Sequence, residues 1–197
     1  VARHAPDIGY TWRGTHDAGG DQDFAWFDEG VAAITRALED PDARVRGLWE
    51  TLGGTGVLGM TAPEAHEGLG MDEVDLVLLL EELGRAACPE PVAEHVAVAL
   101  PLLRDHGSAA LRDTWPGRAA TGDVVLTAGS PVDDLVLAAS RADLMLLGVD
   151  GALHAVSADL VTCTAQQSVD ASRRLARVAW TPSDETLLSD DPAVLEE

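Results

Sequence analysis

Residues 48–107 read LWETLGGTGVLGMTAPEAHEGLGMDEVDLVLLLEELGRAACPEPVAEHVAVALPLLRDHG, and this stretch decides the fold of the first half of the chain. Its order is a short helix, a glycine turn, a Pro-Glu corner, a Gly-Leu-Gly loop and two apolar helices. Residues 71–86 give the strongest helix prediction, because acidic residues open the segment and Arg85 closes it, as the helix dipole favours. The segment is apolar around most of its circumference, which predicts burial on several sides. One face is assigned to Val74, Val77, Leu78, Leu80 and Leu83, and Leu76 and Leu79 widen it.

The rest of the chain divides around this stretch. Residues 1–22 carry Pro and Gly without helical periodicity and are predicted to be an extension. A helix after Asp23 carries Phe24, Phe27, Val31, Ile34 and Leu38 on one stripe. After Gly117, short Val- and Leu-rich runs alternate with turns, which is typical of strands. The predicted strands are 123–127, 135–139, 144–149, 153–157, 160–164 and 175–180.

These patterns predict an α+β protein. An all-helical domain at residues 23–119 is followed by a small antiparallel β domain at 120–182 and an acidic tail at 183–197. The dipeptide Asp150-Gly151 lies between two of the strands and is a typical two-residue hairpin turn.

Composition excludes several classes of function. The 197 residues carry a formal net charge of −21, and such a surface repels a phosphate backbone, so nucleic acid is not an expected partner. All 13 basic residues are Arg, and without Lys neither a P-loop nor a Schiff base can form. There is no apolar run long enough to span a membrane and no signal-peptide pattern, so we expect a cytoplasmic protein with no membrane partner. Cys88 and Cys163 are predicted to be buried inert thiols, with a disulfide or a reactive thiol as the alternatives.

Several motifs suggest sites that their context does not favour. Residues 54–59, GTGVLG, match a dinucleotide-binding loop, but a helix precedes them where that loop needs a strand, so we predict a helix-ending turn. The six histidines show no ligand spacing, so no metal site is predicted, and they are interpreted as surface or hydrogen-bonded core residues. Adjacent Glu81 and Glu82 point about 100° apart on a helix and do not form a catalytic pair. Arg173 and Arg174 are interpreted as charges on a strand edge, with phosphate binding as the alternative.

The residues of the helical half resemble those of the acyl-CoA dehydrogenase family, whose first domain shows the same motifs in the same order. The matches end in the segment Glu-Glu-Leu-Gly-Arg at 81–85, and Glu67 stands where the family has the first glycine of a pair. The matching residues are Trp49, Leu52, Gly56, Gly59, Pro63, Glu64, Gly68, Leu69, Gly70, Glu81, Glu82, Leu83, Gly84 and Arg85.

The β half resembles the family at fewer positions. Leu126 and Thr127 match the start of the family's Leu-Thr-Glu-Pro flavin loop, but Ala128 and Gly129 replace its acidic residue and its proline. Residues 142–146 resemble the strand Ala-Asp-x-x-x-Val, and residues 168–178 resemble the Asp-x-x-Arg-Arg-Leu-Ala segment. The Gly-Ser-Asp loop and the Trp-x-x-x-Gly-x-Lys hairpin that normally walls the flavin are absent.

The resemblance implies a chemistry and a set of partners. It implies FAD as cofactor, with Leu126 and Thr127 as cofactor-binding residues, and an acyl-CoA thioester as substrate for α,β-dehydrogenation. The long helix and the helix after Pro91 would line the acyl pocket. The family's catalytic carboxylate lies in a third, carboxy-terminal helical domain that is expected to be absent here, so no residue is assigned as catalytic base.

Three functional hypotheses follow from this resemblance. The chain is a dehydrogenase-like flavoprotein subunit that needs a further domain or partner subunit for the base and the full FAD site. Alternatively, it is a non-catalytic partner subunit of a hetero-oligomeric acyl-CoA dehydrogenase, or a flavin-free helical binding module. The first two predict a homo- or hetero-oligomer with a dehydrogenase subunit.

Overall fold

The computed structural model describes residues 47–72 and 74–195. The predicted extension and the predicted helix with the Phe24–Leu38 stripe lie outside these residues. The described helices are α1 (Leu48–Gly54), α2 (Leu76–Arg85), a π-helix (Ala93–Ala99) that runs into α3 (Leu100–His106), α4 (Ala109–Thr114) and α5 (Pro116–Thr121). The strands are β1 (Leu126–Gly129), β2 (Leu135–Val136), β3 (Leu144–Val149), β4 (Ala152–Ser157), β5 (Thr162–Ala165), β6 (Ala176–Ala179) and β7 (Leu187–Ser189).

A tight corner connects α1 to α2. Met60 accepts the N–H of Met71, and Ala62 accepts that of Gly70, so the chain folds back on itself around the Pro-Glu corner. A Cβ atom on Gly68 would lie 2.0 Å from the Ala62 carbonyl oxygen, so this position excludes any side chain. Glu67, in the place of the family's glycine, has φ of +61°, a left-handed conformation that glycine adopts more readily.

Helix α2 is shorter and less buried than the sequence predicts. It begins at Leu76, and its buried face consists of Leu76, Leu79 and Leu83. Val74, Val77 and Leu78 are exposed, so the predicted face is wrong at these three positions and the predicted burial on several sides is wrong, whereas the residues expected to widen that face are buried. Both faces of this helix are apolar, and periodicity alone cannot tell which of them meets the core.

The helix after Pro91 opens with a wide turn. In a π-helix the N–H of residue 101 would bond the carbonyl of Val96, but residue 101 is proline and has no N–H. The buried hydroxyl of Thr61 donates to that Val96 oxygen instead, at 2.6 Å. This contact satisfies the buried carbonyl and fixes the π-helix to the corner before α2.

The seven strands form one sheet in the order β5-β6-β2-β1-β3-β4-β7. Strands β1 and β3 are parallel, with Leu126 opposite Leu144, and the other pairs are antiparallel. The α+β prediction is confirmed, but the sheet is mixed and not strictly antiparallel. The difference arises because β2 pairs with the other edge of β1, which leaves β3 to lie alongside β1 in the same direction.

The predicted hairpin is present between β3 and β4. Asp150 and Gly151 both have positive φ, +52° and +81°, as a type I′ turn requires. Strand β7 lies within the acidic segment 183–197 and pairs with β4.

The two cysteines differ in their environments. Cys88 is half-buried beside the helical core, whereas Cys163 lies exposed on the edge strand β5. The prediction of a buried thiol is therefore wrong for Cys163, because β5 belongs to an edge of the sheet that nothing in the described chain covers.

Candidate functional site

Leu126 and Thr127, the predicted cofactor-binding residues, lie at the start of β1 in the middle of the sheet. Both side chains are fully buried. The Thr127 hydroxyl donates to the Leu137 carbonyl oxygen at 2.8 Å, and the Leu126 N–H donates to His95. Both polar groups are thus used within the chain.

His95 connects the π-helix to the β domain. Its Nδ1 accepts the Leu126 N–H at 3.0 Å, so its Nε2 carries the proton and donates to the Ala119 carbonyl oxygen at 3.2 Å. Complete burial lowers the pKa of His95 from 6.5 to about 4, which leaves the ring neutral at pH 7. The sequence left surface and hydrogen-bonded core positions open for this histidine, and the structure places it in the core.

Trp49 extends the contact between the two domains. Its ring meets His95 edge-on with centroids 5.0 Å apart, and its indole N–H donates to the Gly122 carbonyl oxygen at 2.9 Å. The guanidinium of Arg141 lies over the same indole ring, 5.9 Å from its centroid.

Two ion pairs join the loop and π-helix after α2 to the β domain. Glu90 pairs with Arg141, and the Glu90 side chain is only 7% exposed. One helical turn further on, Glu94 approaches Arg173 at 3.9 Å, in a more open position. A buried carboxylate needs its cation, so the first pair fixes the domain boundary, whereas the second contributes little to stability.

A cleft of about 260 Å³ lies beside these ion pairs, between the helical and β domains. It brings together the end of α2, the segment after it and the chain that follows β2. The prediction that α2 and the helix after Pro91 line an acyl pocket stays a prediction. Leu126 and Thr127 are not among its lining residues. Leu137, Ala138 and Arg173 are the β-domain residues of the lining, which sequence reasoning did not assign to the pocket. The lining consists of Leu80, Leu83, Gly84, Cys88, Pro89, Glu90, Pro91, Val92, Ala93, Glu94, Leu137, Ala138 and Arg173.

The side chains of Leu126 and Thr127 present no surface to a flavin in this arrangement. Neither side chain has accessible surface, and the Thr127 hydroxyl is already satisfied. Among the described residues, no buried side-chain N or O atom lacks a hydrogen-bond partner that a ligand would supply. The assignment of these two residues to FAD stays a prediction.

The glycine-rich motif GTGVLG forms a turn at the end of a helix. Residues 54–59 begin at the last residue of α1. Gly56 takes a left-handed φ of +79° between α1 and a short 3₁₀ turn, so a helix-ending turn is confirmed there.

Within residues 47–72 and 74–195, no helix has the length and apolar character to cross a bilayer.

Comparison with known proteins identifies the helical domain. The family profile of the acyl-CoA dehydrogenase N-terminal domain matches residues 22–123. The acyl-CoA dehydrogenase IpdE2 of Mycolicibacterium smegmatis is 29% identical over 160 residues, which are 81% of this chain and 48% of that protein. The acyl-CoA dehydrogenase FadE27 of Mycobacterium tuberculosis is 35% identical over 82 residues, 42% of this chain and 22% of its own length.

Solved structures share the fold of both domains. The ChsE4–ChsE5 complex of Mycobacterium tuberculosis matches with a TM-score of 0.67 and 23% identity, over 87% of this chain and 59% of that one. The Tcur3481–Tcur3483 steroid ACAD matches at 0.68 and 22%, over 85% and 57%. A Bacillus anthracis acyl-CoA dehydrogenase complexed with FAD matches at 0.59 and 17%, over 86% and 36%.

The chain spans about half the length of IpdE2 and about a fifth of FadE27. The family profile nevertheless covers more than half of this chain, including the whole run of motifs from Trp49 to Arg85. The chain therefore belongs to the acyl-CoA dehydrogenase family.

Proposed function

We propose that this chain is a subunit of an acyl-CoA dehydrogenase assembly that catalyses α,β-dehydrogenation of an acyl-CoA thioester. A further domain or a partner subunit completes the assembly by supplying the carboxylate base and the full FAD site. We place the assembly in the cytoplasm. The observation that carries the proposal is the cleft between the two domains, in a chain of this family.

The role of this chain in the proposed assembly is to form two walls of the acyl site. Leu80 and Leu83 of α2 and Leu137 of the β domain line the cleft. Aliphatic walls bind an acyl chain by removing apolar surface from water and keep solvent from the reacting carbons. The buried Glu90–Arg141 pair and His95 hold the two walls in register.

A specific observation favours the second candidate, a non-catalytic partner subunit. The Thr127 hydroxyl is bonded to Leu137, and Ala128 and Gly129 replace the acidic residue and proline of the family's flavin loop. A subunit with such a strand would depend on another chain for the flavin. Among the structures of this fold, the ChsE4–ChsE5 complex and Tcur3481–Tcur3483 each combine two proteins, which supports a hetero-oligomer.

Purification with and without a candidate partner tests these proposals. The chain is expressed alone and together with a dehydrogenase subunit encoded beside its gene, and flavin absorbance is measured together with acyl-CoA-dependent reduction of an artificial electron acceptor. Flavin in the chain alone supports the flavoprotein subunit. Flavin and activity that depend on this chain only in the co-purified complex support the partner subunit. If neither preparation contains flavin or shows activity, the dehydrogenase role is refuted and the flavin-free binding module remains.

A further inference from the structure

Arg173 occupies a fixed position on the wall of the cleft. It ends the 3₁₀ turn that precedes β6, and its carbonyl oxygen accepts the Ala138 N–H at 3.3 Å. The Asp170 carboxylate accepts the N–H and the hydroxyl of Ser172, at 2.9 and 2.6 Å, which fixes the start of the same turn. The backbone therefore holds the Arg173 side chain beside the lining residues of the cleft.

The Arg173 guanidinium is largely uncommitted. Within the described residues its ion-pair contact is the Glu94 carboxylate at 3.9 Å, which is too long for a hydrogen bond, and the charge of the nearby Asp170 carboxylate also acts on it. The side chain is 53% exposed, and a guanidinium carries five N–H donors in a planar fork. Arg141 differs, because it is hydrogen-bonded to the nearly buried Glu90. Arg141, beside the cleft, thus maintains structure, whereas Arg173, in its lining, keeps donors available.

We propose that Arg173 is the oxyanion-binding residue of this cleft. Its ligand is an amphipathic anion, with an aliphatic part against Leu80, Leu83 and Leu137 and a carboxylate or phosphate on the guanidinium. The inference rests on the proposed function only in taking the cleft as a ligand site. The oxyanion has two possible sources, a carboxylate on the acyl group or a phosphate of coenzyme A.

Glu94 opposes the ligand in this proposal. A bound oxyanion would share Arg173 with the Glu94 carboxylate, and two like charges near one cation repel each other. Glu90 is neutralised by Arg141 and competes less. Removal of the Glu94 charge should therefore tighten binding, whereas loss of the Arg173 charge should weaken it. A purely structural role for the pair would not produce opposite signs.

The test is isothermal titration calorimetry on the purified full chain at constant ionic strength. Octanoate probes a carboxylate with an aliphatic chain, coenzyme A probes the phosphates, and octan-1-ol is the neutral control. The variants are Arg173→Gln and Glu94→Gln, with Arg112→Gln on α4 as the matched control, since Arg112 does not line the cleft. Circular dichroism checks that each variant is folded.

A charge-assisted hydrogen bond contributes enough that Arg173→Gln should weaken anion binding about tenfold or more. Glu94→Gln should tighten it several-fold, and Arg112→Gln should match the parent. An effect on octanoate alone identifies the acyl carboxylate, and an effect on coenzyme A alone identifies the phosphate. The proposal is overturned if the parent binds neither anion, or if Arg173→Gln weakens octan-1-ol equally. These binding results do not depend on dehydrogenase activity, so the proposed function can fail separately.

Discussion

Protonation of His95 should destabilise the folded chain in a defined pH window. The pKa of the buried ring is about 4 in the folded state against 6.5 when exposed, so the unfolded chain binds an additional proton between these values. Stability should therefore fall as the pH is lowered from about 6.5 to about 4. The two pKa values differ by about 2.5, which corresponds to about 3 kcal/mol in the free energy of unfolding, at 1.36 kcal/mol for each pKa unit. Below pH 4 this group contributes no further change.

The assay is urea unfolding followed by circular dichroism at intervals between pH 7.5 and pH 4. Replacement of His95 by Gln removes the titrating group, so the variant should lose about 3 kcal/mol less than the parent across this window. Thr61→Val is the matched control, because it breaks a buried hydrogen bond to the same π-helix without removing a titrating group. The Thr61→Val variant should be less stable than the parent at every pH, and its free energy of unfolding should change with pH as steeply as that of the parent. The reasoning is refuted if His95→Gln keeps the full pH dependence of the parent.

Three further substitutions, two of them with a matched control variant, test the described contacts by urea unfolding. Arg141→Met leaves a nearly buried carboxylate without its cation and should cost about 3 kcal/mol, whereas Arg85→Gln on the exposed face of α2 should cost under about 0.5 kcal/mol. Gly68→Ala places a methyl group 2.0 Å from a backbone carbonyl oxygen and should cost about 3 kcal/mol, but Gly54→Ala meets nothing within 4 Å and should be nearly neutral. Thr127→Val removes a hydroxyl bonded at 2.8 Å and should cost about 1–2 kcal/mol. The contacts would be contradicted if Arg141→Met and Arg85→Gln lowered the free energy of unfolding equally, or if Gly68→Ala and Gly54→Ala did so. An unchanged free energy of unfolding in Thr127→Val would contradict the third contact.

Local features of the fold were predictable from the sequence. The Asp150-Gly151 turn, strand β3 at Leu144–Val149 and the helix-ending turn at residues 54–59 depend on neighbouring residues, whose conformational preferences act over a few positions. The family motifs from Trp49 to Arg85 identified the helical domain for the same reason, since glycines and corners are needed at fixed spacing.

The sequence could not decide which apolar face of α2 is buried or which strand lies beside β1. Val77 and Leu79 are equally apolar, and only the packing of α1 and the π-helix determines that Leu79 enters the core. The parallel pairing of β1 with β3 depends on β2 occupying the opposite edge of β1.

The candidate site also combines features that the sequence predicts with contacts that only the tertiary structure shows. The sequence by itself determined the residue types, namely an aliphatic helix, a Pro-Glu-Pro segment and two consecutive arginines near the end of the β half. Only the tertiary structure decided that Arg173 meets the cleft, that Arg141 neutralises Glu90, and that His95 uses the N–H of Leu126. His95 and Leu126 are 31 residues apart in the chain, and Glu90 and Arg141 are 51 residues apart. No local conformational preference acts over such a separation. They meet because burial of the two domain faces leaves polar groups that must find partners there.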